Sequence, residues 1–299
     1  MLLLTAMPFL TDGVESFPMW VLERSDFPLL LKEIPDTPER LYVRGTMPHP
    51  EYTALCVVGS RALTVYGARI CSSLISGLSR SPVVIVSGLA LGTDAAAHKA
   101  ALDAGLPTIA VLPSSVDDKS IYPSSNFPLA QRILKSGGAL VSEYRGPTKP
   151  QKYSFHARNR IMAGLSKATL IVEATEKSGT MITTRLALDY NRDVMAVPHD
   201  IGRPQGAGAN RLIRDGAILV RDHNDILVTL GLCEAPKTQT LPTDLTEVEA
   251  SVIDALAEPL SRDELIEHTQ LGVPEVSVAL SSLLIRGIIT ERFGKVERV

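Results

Sequence analysis

The chain has 299 residues, 45% of them hydrophobic and 21% charged, and a net charge of −3. That length allows about two domains with buried cores, and the composition excludes a disordered, fibrous or membrane-spanning protein. The opening Met1-Leu2-Leu3-Leu4 lacks a basic flank and is short, so no leader is expected, and three scattered cysteines (Cys56, Cys71, Cys233) fit a reducing cytoplasm.

Residues 1–50 carry seven prolines from Pro8 to Pro50 and weak periodicity. They read as a short lead-in with one strand at Leu41–Val43. Residues 51–232 then alternate apolar runs with helical stretches. Strand Cys56–Gly59 precedes a helix around Val65–Ser79, and strand Val83–Ser87 precedes helix Asp94–Ala104, stopped by Gly105 and Pro107. Strand Thr108–Leu112, a turn-rich loop from Pro113 to Asn126, helix Phe127–Lys135 and strand Ala139–Glu143 follow. A basic loop and helix lead to strand Thr169–Glu173. Ser178-Gly179-Thr180 opens a helix reaching about Tyr190. Strand Val194–Val197, a short helix Asn210–Arg214 and strand Ala217–Val220 close the set. Short β-branched runs separated by helices mean crossover connections, hence an α/β, doubly wound, mostly parallel sheet.

Residues 233–243 read as a linker. In 244–299, Thr246-Glu-Val-Glu249 and Ser261-Arg-Asp-Glu264 are capping boxes, each opening a helix. A third helix is expected from near Pro274 to Arg286 with Gly287 beyond it. Strands Ile288–Arg292 and Val296–Val299 follow, with a turn at Gly294. Three helices and a hairpin form the winged-helix pattern. This tail holds five basic residues against eleven acidic ones, a net −6, so a nucleic-acid surface belongs on the larger domain.

The chemistry concentrates at strand ends. Gly59-Ser60-Arg61 and Ser87-Gly88 each end a buried strand before a helix, where glycine admits a ligand and the helix offers free N–H groups to an anion. An arginine there can clamp a phosphate through two bonds. Asp94 reads as a helix N-cap and His98 as a packed histidine. Glu143 and Glu173 also end strands, with tethering of arginines or loop capping preferred over an acid–base pair. Between Tyr144 and Val172 there are six cations and no carboxylate, and Tyr153 to Ile161 interleaves rings with charge. Stacking surfaces beside phosphate contacts are what single-stranded nucleic acid requires. No dinucleotide fingerprint, P-loop or metal-ligand spacing is present, so no cofactor or metal is expected.

Taken in order, Gly59-Ser60-Arg61, Ser87-Gly88-Leu89-Ala90-x-Gly92-x-Asp94-x-x-Ala97-His98, Tyr122-Pro123-x-x-Asn126, Ser142-Glu143-Tyr144, Phe155-x-x-Arg158-Asn159-Arg160-Ile161, Val172-Glu173-Ala174, Ser178-Gly179-Thr180, Ala196-Val197-Pro198 and Gly208-x-Asn210 closely resemble the DNA processing protein A family (DprA, also called Smf) across residues 27–230. The resemblance implies an extended Rossmann-like domain, with a C-terminal winged helix in many members. It also implies a non-enzymatic protein that binds single-stranded DNA, forms a homodimer and loads RecA recombinase on DNA taken up in natural transformation. It implies a DNA site at Gly59, Ser60, Arg61, Ser87, Gly88, Lys152, Phe155, Arg158, Asn159, Arg160, Ser178, Gly179 and Thr180. The chain departs from the family pattern at Thr93, His156 and Pro198-His199, and its N-terminal region is short.

Two other readings carry discriminating features. A Rossmann-like nucleotide-processing enzyme needs a denser glycine loop than the chain has, and turnover of a nucleoside monophosphate would reveal it. A duplex-DNA regulator acting through the winged helix conflicts with the −6 tail, because duplex affinity comes mainly from phosphate neutralisation.

Overall fold

The computed structural model describes residues 17–233 and 245–298, apart from positions 257, 287 and 293. The expectations for Met1–Leu4, most of the 233–243 linker, Gly287 and Val299 fall outside those residues. The chain divides into two compact units, Met1–Cys233 and Glu234–Val299.

In the first unit the strands are β1 (Met19–Glu23), β2 (Arg40–Gly45), β3 (Thr53–Val58), β4 (Val83–Ser87), β5 (Thr108–Val111), β6 (Ala139–Ser142), β7 (Ala168–Ile171), β8 (Asp193–Ala196) and β9 (Ile218–Leu219). They make one sheet in the order β1-β2-β6-β5-β4-β3-β7-β8-β9. From β6 to β9 every neighbour is parallel, while β2 runs antiparallel to β6 and β1 antiparallel to β2. The parallel part begins at β3, builds outward through β4, β5 and β6, then returns to the other side of β3 for β7. That reversal makes the carboxyl end of β3 a topological switch point.

The helices are α1 (Leu29–Glu33), α2 (Val65–Gly77), α3 (Thr93–Asp103), α4 (Phe127–Lys135), α5 (Lys152–Leu165), α6 (Thr180–Asp189), α7 (Ala207–Arg214) and α8 (His223–Thr229). Strand β3 shows why both sheet faces are covered. Leu55 and Val57 join a core with Leu74 and Ile75 of α2, whereas Cys56 and Val58 join one with Ile161 and Met162 of α5. Burial on both sides is what its unbroken apolar run dictates.

Residues before Thr53 hold more than the single expected strand. β1 and β2 extend the sheet at its edge, and α1 covers α5 through Leu31 and Ile34, which pack against Gly164. The β1 sequence hides its role because only Leu22 of its five residues is buried, so no alternation appears. Helix α8 was also not expected. Its start is nonetheless readable, since the Asp222 carboxylate accepts from Asn224 N–H at 2.8 Å and Asp225 N–H at 3.3 Å. The expected strand at Ala217–Val220 shrinks to Ile218–Leu219.

The second unit holds α9 (Glu247–Ala255), α10 (Arg262–Thr269), α11 (Val273–Ile285) and an antiparallel hairpin of β10 (Ile289–Arg292) and β11 (Lys295–Arg298). Both capping boxes form: Thr246 and Glu249 exchange bonds at 2.9 and 3.2 Å, Ser261 and Glu264 at 2.7 and 3.3 Å. A core of Val252, Ile253, Leu265, Leu280, Leu283 and Val296 closes this winged helix.

Candidate nucleic-acid interface

The loops after β3, β4 and β7 are tied into one rim. Ser60 N–H donates to Glu173 O at 2.7 Å, and Thr93 N–H donates to Ser60 O at 3.0 Å. Gly92, at φ +74°, lies against the Ser60 and Arg61 carbonyls, where a Cβ would come within 2.2 Å of Ser60 O. Only glycine supplies that backbone angle without strain and leaves that space open.

The turn after β4 is held from two sides. Asp94 is not the N-cap of α3, a position occupied by Gly92. Its carboxylate instead accepts from Gly88 N–H at 3.1 Å and Ala90 N–H at 3.3 Å. From the other side the Asn126 amide donates to Leu89 O at 2.8 Å and Ala90 O at 3.2 Å. These bonds hold Leu89 at φ +56°, a conformation costing an ordinary side chain about 1–2 kcal/mol, with its side chain fully buried.

Over this rim lies one face of α5. Phe155, Arg158, Asn159 and Met162 recur at helical spacing and face a cavity of about 730 Å³. Its other walls are Gly59, Ser60 and Arg61 from the β3 turn, and Ser178, Gly179 and Thr180 at the start of α6. Lys152 completes it, so the cavity collects ten of the thirteen expected residues. Gly88 lines a smaller neighbouring cavity shared with Arg61, Phe155, Arg158 and Tyr122.

The arginines divide by function. The Arg61 guanidinium is exposed and lies 5.4 Å over the Phe155 ring, and neither it nor Lys152 is ion-paired among the described residues. Tyr122 meets Phe155 edge-on at 5.9 Å, extending the ring surface. Arg158 lines the cavity but is only 7% exposed. It donates to Val111 O at 3.2 Å and Asn159 Oδ1 at 3.0 Å, and faces Asp94 at 3.8 Å. Burial lifts the Asp94 carboxyl above the usual carboxylate range, opposed by Arg158 and by the Ala90 and Gly88 N–H groups. Burial lowers Arg158 in turn, against the pull of Asp94. A side chain on Gly88 would collide with this guanidinium, its Cβ falling 1.3 Å from Nη1. Arg158 thus frames the site.

Two expected residues lie outside both cavities. Ser87 is fully buried and its hydroxyl donates to Val57 O at 2.7 Å, joining β4 to β3. Arg160 points to the opposite side of α5, bonded to Glu143 and to Asp36 O. Adjacent positions on a helix diverge by about 100°, so the Arg158-Asn159-Arg160 triplet cannot present both arginines to one ligand. Glu143 and Glu173 are likewise apart, at the ends of β6 and β7 with β5, β4 and β3 between them. Cavity residues not expected include Asp94, Met162, Ile182 and Thr183. Met162 and Thr183 were legible one turn beyond Arg158 and Thr180 on the same helix faces.

A doubly wound α/β domain with its cleft at the switch point, joined in one chain to a winged helix, is the class this architecture defines. Residues 18–231 match the family DNA recombination-mediator protein A, and residues 235–295 match the DprA winged helix domain. The chain belongs to the DprA/Smf family. It is 39% identical to Protein Smf of Escherichia coli, covering 88% of this chain and 72% of that protein. It is 38% identical to DNA processing protein DprA of Streptococcus pneumoniae, covering 73% and 76%. The X-ray structure of DprA from Streptococcus pneumoniae superposes with a TM-score of 0.64 at 37% identity, over 72% of this chain and 74% of that one. DNA processing protein A from Helicobacter pylori, described by its single-stranded DNA binding mode, gives 0.64 at 32% identity over 72% and 96%.

Proposed function

We propose that this protein binds single-stranded DNA without sequence preference in the cavity at the carboxyl ends of β3, β4 and β7. The observation that carries this reading is the exposed Arg61, in no ion pair among the described residues and lying over the Phe155 ring, in a cavity it shares with the opening turn of α6. Phosphate is drawn to the guanidinium and to the α6 N-terminus, while Phe155 and Tyr122 offer faces to unpaired bases. The single-stranded DNA binding mode described for the Helicobacter pylori relative supports the same ligand here. Arg61 and Lys152 touch the strand directly in this reading; Arg158, Asn159 and Asp94 hold the rim.

On the strength of the family, the protein acts as a homodimer in the cytoplasm, without catalysis, and loads RecA recombinase onto incoming DNA in natural transformation. Residues 51–232 carry the DNA site, and the acidic domain 244–299 serves protein contact or regulation. No described helix is long and apolar enough to cross a membrane.

Titration of fluorescent oligo-dT and its duplex across a salt series tests this. The single strand binds more tightly, and Arg61→Ala weakens it strongly. The log–log salt slope falls by about 0.7 for each phosphate that the variant no longer neutralises. Duplex binding of equal strength, indifferent to Arg61, overturns the reading.

A further inference from the structure

Arg61, Lys152 and Arg158 line the DNA cavity, and a further basic side chain lines it with them. His156 is exposed and lies one turn of α5 beyond Lys152, where side chains four positions apart stand one above the other. The chain departs from the family pattern at this position, and the function proposed above gives it no part.

Unlike the arginines of the same helix, the His156 ring is uncommitted. Among the described residues it is in no hydrogen bond, ion pair or ring contact. A histidine kept for packing looks different in this chain: His98 is fully buried and bonded to the Thr108 hydroxyl.

The surroundings suit an anion. Ser178, Gly179 and Thr180 bring the start of α6, with its free N–H groups and positive dipole end, to the same cavity. Arg61 and Lys152 are in no ion pair among the described residues. Asp94, the carboxylate of the lining, is engaged by two backbone N–H groups and faces Arg158 at 3.8 Å. Ahead of α6, Glu176 and Lys177 are exposed and of opposite charge. On the opposite side of α5, Glu143 is taken by Arg160. A protonated imidazole in this cavity therefore has no free carboxylate in the lining to hold it, and a phosphate is the group that does so. An imidazole changes its charge between about pH 5 and 8, where lysine and arginine side chains ordinarily do not.

We propose that His156 is a proton-gated phosphate contact of the DNA cavity. The neutral ring leaves the strand to Arg61 and Lys152, and the imidazolium adds one more charged hydrogen bond to the backbone. The proton comes from solvent and returns to it when the strand leaves, so affinity rises as pH falls. This inference rests on the single-stranded DNA reading above and adds a pH dependence to it.

Titration of the full chain with fluorescent oligo-dT at about pH 8 and about pH 5.5, each across a salt series, tests this. The wild type is expected to bind about tenfold more tightly at the lower pH, the worth of a charged hydrogen bond. Its log–log salt slope is expected to steepen by about 0.7, one phosphate. His156→Gln is expected to lose both gains, while His156→Lys, charged throughout, shows the steeper slope at both values. Both substitutions fall at an exposed helix position and leave stability nearly unchanged. At about pH 6.5 the His156 ring resonances are expected to move toward the charged form when oligo-dT is added to the wild type. A His156→Gln variant that keeps the pH dependence, or wild-type binding that depends on Arg61 but not on pH, overturns this proposal and leaves the DNA reading standing. Absence of single-strand binding at both pH values overturns the DNA reading and this proposal with it.

Discussion

Asp94 shows how one side chain can organise the turns around a cavity. Its carboxylate is spent on two backbone N–H groups of the β4 turn and on the buried Arg158, which in turn lies flat on Gly88. Removing one member of a buried pair leaves the other charge uncompensated, typically at a cost of about 3–5 kcal/mol. Asp94→Ala is therefore expected to lose stability on that scale, measured by denaturant titration, whereas Arg61→Ala, at an exposed position, leaves the midpoint nearly unchanged. The triplet Arg158-Asn159-Arg160 looks in the sequence like a block of phosphate ligands. Burial decides otherwise: one arginine becomes a strut, and the other ties α5 to Glu143. Sequence names the residue type, but which donors remain free depends on carbonyls and carboxylates far away in the chain.

Helix α3 and strand β5 are joined by His98, which is fully buried with Nδ1 2.8 Å from the Thr108 hydroxyl, itself donating to Ile85 O. Burial and the nearby Arg158 push the imidazole down to about 3. The unfolded chain takes up a proton near pH 6.5 that the folded one refuses, so stability is full above that value and declines as pH falls toward 3. The slope is at most about 1.4 kcal/mol per pH unit from this group. His98 ring resonances that stay in the neutral form at pH 5, beside a falling melting temperature, would bear this out. Elements with caps and glycine stops, such as α3 and the winged-helix α9 and α10, were legible because their signals are local. Edge strand β1 was not, because only one of its side chains is buried.

Across the whole molecule, charge separates the roles. The second unit is acidic overall, and from Val273 to Ile285, the third helix of the winged helix, there is one carboxylate and no cation. A helix so composed cannot neutralise phosphate. A chain ended at Cys233 is therefore expected to keep the oligo-dT affinity and salt slope of the full protein, measured by the same titration. A clear loss on truncation would move the DNA site toward the winged helix.

By itself the amino-acid sequence determined the alternation of buried strands and helices, the glycine turns at strand ends, the capped helices of the tail and the strip of cations and rings before β7. All of these rest on interactions within a few residues, or on the two-faced burial that an unbroken apolar run demands. Only the tertiary structure decided strand order, and with it which turns share an edge. It brought Phe155 and Arg61 together, sent Arg160 away from Arg158 and buried Ser87 in the sheet. Those outcomes turn on the meeting of residues tens of positions apart, where packing rather than local preference sets the lowest free energy.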